Sequence, residues 1–240
     1  MSDKKYEFTG LEKVNLWGYT VKQIRALVDI PGASVRTGDV GGWIESEQLT
    51  NGDARVYGDA WVFGNAQVFG NAQVYGNARV YGNAWVYGNA WVYGNARVYG
   101  NAWVFGNAWV YGDAWVYGDA RVYGDAQVYG DARVYGDAQV YGDARVYGDA
   151  RVEKLSDFMM VGPIGSERMT ATLFRTKNGK HTLNVGCWTG TIGTLSAEVK
   201  RRRELWSVDD LTQEMWVSQY KALKALGKAT VASWKRVSDE

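Results

Sequence analysis

The feature that most constrains the fold is a six-residue repeat in the middle of the chain. Between Gly52 and Val152 the pattern Gly-Asn/Asp-Ala-x-Val-Tyr/Phe occurs seventeen times without an insertion or deletion, and the last copy ends at its valine. A period this strict indicates one small structural unit stacked on copies of itself. The middle of the chain is therefore predicted to be a solenoid.

Each hexad predicts a short strand followed by a corner. Alanine and valine are separated by one residue, so their side chains point to one side of a strand, whereas the variable and aromatic residues point to the other. Glycine followed by asparagine or aspartate supplies the bend, because both tolerate left-handed backbone angles. Three such sides, with small alanine and branched valine inside, predict a triangular parallel β-helix with three hexads in each coil.

The repeat resembles the hexapeptide-repeat family of left-handed parallel β-helices, in which an aliphatic residue is followed four positions later by a small one. Here every valine from Val56 to Val146 is followed four residues later by an alanine. The resemblance covers the middle of the chain and implies a mainly β protein with a left-handed parallel β-helix of about six coils. It implies a fold rather than an activity, because fold and function are separable.

Two smaller modules are predicted beside this array. Residues 1–50 form an N-terminal β cap, residues 51–152 the β-helix, and residues 153–240 a small α+β C-terminal domain. Trp43 and Ile44 are expected to cover the open end of the first coil, because a solenoid exposes unpaired backbone groups at its ends. The lead-in GDVGGWIESEQLTNGDARV resembles that of some bacterial and prophage hexapeptide proteins.

The outward positions fall on three faces when residues eighteen apart are stacked. Tryptophan, arginine and glutamine alternate there beside rows of Tyr or Phe, and coils about 4.8 Å apart allow neighbouring rings to stack. Large apolar surfaces usually mark contacts, so a homo-oligomer is predicted, with a trimer favoured by the family resemblance. The alternatives are simple stabilisation of the rod and a platform for stacking sugars or bases. The predicted contact residues are Trp61, Trp85, Trp91, Trp103, Trp109, Trp115, Arg79 and Arg97.

The corner residue changes along the array, from asparagine at positions 65–107 to aspartate at positions 113–149. Asparagine side chains can hydrogen-bond between coils, whereas stacked carboxylates repel one another. The arginines of the same stretch are expected to compensate the aspartates, namely Arg121, Arg133, Arg145 and Arg151. Calcium is the alternative, because hard cations prefer carboxylate oxygens. The calcium-solenoid nonapeptide is absent, and neither a metal nor a cofactor is predicted.

Catalysis is not predicted. Hexapeptide-repeat acyltransferases resemble one another in using a histidine base beside a cleft, and such a base must titrate near neutrality. The repeats contain no histidine and no inserted loop, and a zinc site of the carbonic anhydrase type needs three histidines where the whole chain has one. His181 and Cys187 could act as base and nucleophile, but no third group to orient them is visible.

Hydropathy and cysteine content predict a cytoplasmic protein, and the resemblance to prophage sequences implies a bacterial host. A net charge of +1 favours no particular partner, and nucleic acid is not expected to be one. No apolar run approaches the roughly 20 residues that cross a bilayer, and the N-terminus lacks the apolar region of a signal peptide. The single cysteine excludes an internal disulfide and fits a reducing compartment.

The segment after the repeats predicts a hairpin and two helices. Two alternating runs, Thr170–Thr176 and His181–Gly186, flank an Asn-Gly turn. One helix is expected from Thr194, and a second from about Ser207 to Leu226, ending before Gly227. The segments GPIGS, FRTKNG and GCWTGT resemble those of a small module attached to hexapeptide repeats in phages and prophages.

Two features of this module suggest a ligand. GPIGSER resembles a nucleotide-binding loop of TIR-like proteins, with Gly162, Gly165, Ser166 and Arg168 in the matching places. A hairpin follows instead of a βαβ unit, so a structural turn is the alternative interpretation. The basic run at 200–203 could meet a phosphate, or could simply favour the helix dipole.

These observations predict a non-catalytic, phage- or prophage-encoded scaffold that self-associates through its aromatic faces and displays its terminal modules, for example to a host protein. The first alternative is a protein that sequesters a small, nucleotide-like ligand in grooves between subunits, because Trp, Tyr and Arg line the outside. The second alternative is a hexapeptide-type acyltransferase.

Overall fold

The structure, a computed structural model, describes residues 5–29, 35–50 and 53–236 of the 240-residue chain. The first glycine of the array, Gly52, lies outside the described residues. In chain order the fold comprises an N-terminal antiparallel hairpin, a parallel solenoid, a four-stranded antiparallel sheet and two helices.

The repeats form a parallel β-solenoid, which confirms the prediction of a mainly β protein with about six coils. Each hexad contributes a two-residue strand made of the variable residue and valine, and pairs in parallel with the strand one coil further on, as Trp91 does with Trp109. The seventeen strands are β4 (Arg55–Val56), β5 (Trp61–Val62), β6 (Gln67–Val68), β7 (Gln73–Val74), β8 (Arg79–Val80), β9 (Trp85–Val86), β10 (Trp91–Val92), β11 (Arg97–Val98), β12 (Trp103–Val104), β13 (Trp109–Val110), β14 (Trp115–Val116), β15 (Arg121–Val122), β16 (Gln127–Val128), β17 (Arg133–Val134), β18 (Gln139–Val140), β19 (Arg145–Val146) and β20 (Arg151–Val152).

Alanine and valine fill the interior of the solenoid, as predicted. Every alanine from Ala60 to Ala150 and every valine from Val62 to Val152 has an exposed fraction of 0%. The variable and aromatic residues of the hexads retain solvent contact, except Phe63, which is buried. Backbone hydrogen bonds join successive coils, as from the Trp91 amide to the Ala108 carbonyl at 2.9 Å. Small and branched side chains thus allow three sheets to close around one narrow core.

The corners depend on glycine and on a ladder of asparagine amides. Gly94 has a φ of 71°, and a Cβ atom there would lie 3.0 Å from the backbone nitrogen of Gly112 in the next coil. The predicted asparagine ladder is confirmed: Asn65 Nδ2 donates to Asn83 Oδ1 at 3.2 Å. Where the sequence changes to aspartate, Asn95 Nδ2 donates to Asp113 Oδ1 at 2.9 Å.

The N-terminal segment adds strands to one solenoid sheet. An antiparallel pair, β1 (Tyr6–Val14) and β2 (Thr20–Ala26), leads to β3 (Val40–Ile44) and a 3₁₀ turn at Glu47–Leu49. β3 pairs in parallel with β5, so that Trp43 lies beside Trp61 and Ile44 beside Val62. Trp43 and Ile44 therefore form an extra rung, and β1 and β2 continue the same sheet outward.

The C-terminal module consists of a sheet and two helices. After a 3₁₀ turn at Leu155–Asp157, four antiparallel strands lie in chain order, and the predicted hairpin between the second and third is confirmed. The elements are β21 (Phe158–Ile164), β22 (Met169–Arg175), β23 (His181–Val185), β24 (Trp188–Gly190), α1 (Leu195–Arg203) and α2 (Asp210–Arg236).

The predicted end of the second helix at Leu226 is wrong, because α2 continues through Gly227 to Arg236. A Cβ atom on Gly227 would lie 2.2 Å from Ile192 Cδ1. The glycine is therefore needed where the helix approaches the sheet module closely, and it does not end the helix.

The C-terminal sheet closes the end of the solenoid through β22. Phe174 points into the solenoid core and meets the Tyr147 ring at 5.4 Å, while the Thr172 hydroxyl accepts a hydrogen bond from the Arg145 amide at 3.3 Å. The alternate residues Ala171 and Leu173 belong to a second core shared with the helices. The period of two in a strand thus lets β22 bury one face on the last coil and the other under α1 and α2.

Candidate interaction faces of the solenoid

The six repeat tryptophans lie on the outside of the rod, as predicted. Trp85 and Trp103 share one sheet, Trp91 and Trp109 share a second, and the remaining two belong to the third. Trp85 has an exposed fraction of 40%, whereas the other five are half-buried. The rings therefore cover the sheets and keep part of their surface in contact with solvent.

Four of these tryptophans form two stacked pairs on adjacent sides of the rod. The Trp91 and Trp109 rings are 5.1 Å apart and 3° from parallel, and the Trp85 and Trp103 rings are 5.5 Å apart and 12° from parallel. Because consecutive hexads occupy consecutive sides, both pairs span the same two coils. We call these four residues the tryptophan band.

Tyrosine ladders support the band. The Tyr75, Tyr93 and Tyr111 rings follow one another at 4.8 and 4.9 Å, nearly parallel. The Tyr93 ring also meets the edge of Trp109 at 6.4 Å and 72°. Stacked and edge-to-face pairs contribute roughly 0.5–1.5 kcal/mol each beyond their buried area. The indole positions are thus fixed by rings in the neighbouring coils.

Arginine and tryptophan alternate on the third face. Arg79 lies 5.3 Å from the Trp61 ring, while Arg97 and Arg133 lie 4.8 and 4.6 Å from the Trp115 ring. Since Arg97 and Arg133 belong to the coils before and after Trp115, the indole is held between two guanidinium groups. Cation–π contacts of this kind contribute about 0.5–1 kcal/mol at exposed sites.

The expected compensation of the aspartate corners is wrong for Arg121 and Arg133, which contact indole rings and not corner carboxylates. Arg121 lies over Trp103 at 4.9 Å, and Arg133 lies over Trp115. Within the described ranges neither forms an ion pair with a carboxylate. Each guanidinium is held by the aromatic rung beside it in the sheet, because the strand directs its side chain along the face and away from the corner.

The N-terminal hairpin covers part of the third face. Trp17, in the turn between β1 and β2, stacks on Phe63 at 6.0 Å and on Tyr81 at 5.7 Å. Both of these rings flank strands of the third sheet, so the hairpin lies over that side of the rod. Trp17 was missed from the sequence, since no local pattern links it to rings more than forty residues away.

Burial raises the pKa of several ladder tyrosines. Desolvation, followed by the neighbouring Tyr81 and Tyr117 hydroxyls, raises the pKa of Tyr99 to about 12. A group whose pKa is higher in the folded than in the unfolded chain contributes stability that is complete below the unfolded value, near 10, and is lost as the pH rises through the folded value.

Tyr99→Phe is therefore expected to reduce the loss of stability between about pH 10 and pH 12, because it removes one of these hydroxyls and keeps the ring stack. Urea unfolding at pH 7 and at pH 11 checks this. At pH 7 the variant should lie within about 0.5 kcal/mol of the parent, and at pH 11 it should be the more stable of the two. Equal losses in both proteins would contradict the role assigned to Tyr99.

The predicted ligand loop lies in the turn between β21 and β22. The Gly165 amide donates to Gln219 Oε1 at 2.8 Å, and a Cβ atom on Gly165 would fall 2.1 Å from the Tyr220 hydroxyl. The Arg168 amide donates to the Gly165 carbonyl at 3.2 Å. Gly162 belongs to β21, and Ser166 is in the turn itself. This packing against α2 favours the structural turn, and the ligand role stays a prediction.

The other reactive side chains of the module are engaged within it. His181 Nε2 accepts a hydrogen bond from the Ile192 amide at 3.2 Å, whereas the exposed Cys187 follows the far end of the same strand. The structure therefore does not bring the two together.

The basic helix end is paired within the chain. Arg201 and Arg202 donate hydrogen bonds to the Glu198 carboxylate. These contacts, that of Arg201 most of all, lower the pKa of Glu198 to about 2. Arg203 binds Glu214 at 2.6 Å. Most of the basic run at 200–203 thus has internal carboxylate partners.

The described part of the chain contains neither a metal-binding cluster nor a membrane-spanning helix. No three His, Cys, Asp or Glu side chains in the described ranges lie together as metal ligands. None of the helices described is both long enough and apolar enough to cross a bilayer.

The fold and its faces define a β-solenoid repeat protein. The family model described as "YdcK Beta solenoid repeat" matches residues 72–88, 90–106, 96–112, 126–142 and 138–153, all within the solenoid. A comparison with curated proteins gave no match. The repeat class is thus supported by both structure and sequence.

Proposed function

We propose that this β-solenoid protein is a non-catalytic scaffold that self-associates through the tryptophan band. The observation that carries the proposal is the pair of tryptophan stacks on adjacent sides of one rigid rod. Aromatic side chains are enriched in the cores of protein interfaces. Indoles already held by stacking lose little conformational freedom on contact, so a large area can be buried at low entropic cost.

The two ends of the rod favour side-by-side association over end-to-end growth. At one end β1 and β2 continue the sheet away from the repeats, and at the other β22 covers the last coil. An uncapped solenoid end would pair with another chain. A closed ring of copies with parallel rods, of which we favour the trimer, buries the side faces without requiring free ends.

The cellular setting we propose is a phage or prophage gene expressed in the cytoplasm of a bacterial host. This setting is supported by a sequence resemblance: the lead-in and the segments GPIGS and GCWTGT resemble phage-associated sequences. In this setting the scaffold would hold the helices of the C-terminal module outward, toward a host protein.

The double variant Trp91→Ser/Trp109→Ser is expected to weaken the assembly while the solenoid stays folded. It removes one stacked pair from the band and leaves the Ala and Val core untouched. Light scattering and native mass spectrometry measure the stoichiometry, and circular dichroism follows the fold. The matched control is Gln73→Ser/Gln127→Ser, which changes two polar positions of the same sheet on either side of the pair.

The control should assemble like the parent protein. An oligomer that survives loss of both indoles would exclude this face from the interface. Loss of assembly in the control as well would mean that the sheet, and not the aromatic surface, had been disturbed.

Sequestration of a nucleotide-like ligand is the alternative function. Bases stack on indoles and phosphates pair with guanidinium groups. On the third face, however, Trp115 already has a guanidinium over each side of its ring, so a base would have to displace Arg97 or Arg133. This contact favours the scaffold. Native mass spectrometry separates the two, since a ligand carried through purification would add a discrete mass. An acyltransferase, the third candidate, would be revealed by turnover of acetyl-CoA.

A further inference from the structure

Helix α2 has two apolar faces, and only one of them is packed. Val217, Tyr220 and Leu223 are buried against the sheet and α1. On the opposite side Leu211 and Met215 have exposed fractions of 82% and 51%. These two large apolar residues lie one turn apart on the surface of a helix whose other face already supplies the core.

The exposed face follows the spacing of a coiled coil. Its positions alternate between four and three residues apart along the helix, which is the period of a seam between two helices. All of them are exposed. The members of this outer seam are Leu211, Met215, Ser218, Ala222, Ala225, Ala229 and Ala232.

We propose that the outer seam binds α2 of a second copy of this chain in antiparallel orientation. The seam is large at its beginning and small at its end. Antiparallel pairing about a centre between Ser218 and Ala222 sets Leu211 opposite Ala229 and Met215 opposite Ala225. The outer layers then each hold one large and one small side chain, as close packing requires. The central layers hold Ser218 and Ala222, and Ala232 lies beyond the paired positions. Parallel pairing would set Met215 against Met215 and leave the alanine layers underfilled.

Charge beside the seam supports the same orientation. In the antiparallel register Glu214 of one copy faces Lys228 of the other, and the contact occurs twice. Glu214 also binds Arg203 of its own chain, yet its side chain remains 56% exposed, so its carboxylate can take a second cation. Lys221 faces its own copy across the axis. Because the two attractive pairs outnumber this one repulsive pair and salt screens both, the pairing should weaken as the ionic strength rises.

The inference deepens the proposed scaffold function, because it adds a second self-association surface at one end of the rod. A band contact alone gives a closed assembly of rods. A helix contact alone gives a dimer joined through the C-terminal modules. Together the two contacts would link closed assemblies into larger ones.

Met215→Glu tests the helix contact in the full-length protein. It is expected to raise the dissociation constant of the helix contact at least about tenfold, because each copy then places a charge in the seam. Met215→Leu keeps an apolar residue there and should assemble normally. Ala197→Glu adds the same charge at an exposed position of α1, outside the seam, and should also be neutral. Sedimentation velocity over a concentration series measures all three.

Orientation is tested by cysteine cross-linking in a Cys187→Ser background, which removes the native thiol. Met215→Cys with Ala225→Cys should give a disulfide-linked dimer. Met215→Cys alone should not, because ten residues of helix, about 15 Å, would separate the two thiols of an antiparallel pair. A dimer from the single variant would overturn the antiparallel orientation.

These experiments test the two proposed self-association surfaces independently. If Met215→Glu leaves the assembly unchanged and Trp91→Ser/Trp109→Ser dissolves it, the helix contact is overturned and the proposed function stands. If Met215→Glu alone reduces the assembly to monomers, the helix contact is supported and the band proposal is overturned. A parent protein that is monomeric throughout the concentration series overturns both.

Discussion

Phe174→Ala is expected to lower the free energy of unfolding by about 3–5 kcal/mol, the usual cost of removing a fully buried phenylalanine. Phe174 has an exposed fraction of 0% and contributes to the solenoid core from the C-terminal sheet. Its loss would leave a cavity under the last coil, next to Tyr147. Urea unfolding followed by circular dichroism measures the change.

The control for this prediction is Leu155→Ala, a truncation in the same linking region at a side chain that is exposed. A change within about 0.5 kcal/mol is expected there. In Phe174→Ala, hydrogen exchange should speed up first at the backbone amides of the last coil. A loss similar to that of the control would mean that the sheet does not close the solenoid.

Gly94→Ala is expected to destabilise the protein by about 2–5 kcal/mol, for two separable reasons. The backbone at Gly94 has a φ of 71°, and an L-residue in that region costs about 1–2 kcal/mol. The added Cβ atom would also meet the backbone of Gly112 at 3.0 Å, and overpacking of this kind costs about 1–3 kcal/mol. The coils cannot separate to relieve it without losing their hydrogen bonds.

Gly148→Ala separates the two contributions. Gly148 has a φ of 61°, and a Cβ atom added there would meet no other atom within 4 Å among the described residues. This substitution should therefore cost only the backbone contribution, about 1–2 kcal/mol. Thermal and urea unfolding of both variants give the difference. Equal destabilisation would show that the close approach of successive glycine corners adds nothing to the cost.

The sequence by itself determined the solenoid, because its information is local and repeated. Alternation fixes which side of a strand Ala and Val occupy, and glycine fixes the corner. Both rules apply seventeen times, so that the three sheets, their register and the asparagine ladder follow from arithmetic on a period of six. The hairpin between β22 and β23 was predicted for the same reason, since its Asn-Gly turn is a local signal.

Only the tertiary structure decided how the faces and the ends are covered. Trp17 stacks on Phe63 across a long sequence separation, and Phe174 enters a core built by another segment. Gly227 lies inside a helix, where the absence of a Cβ leaves room for Ile192. The exposed seam of α2 could likewise not be separated from the buried face in the sequence, because both faces follow the same helical spacing. Local rules determine the repeating unit, whereas contacts between distant segments depend on shape and close packing, which no local pattern contains.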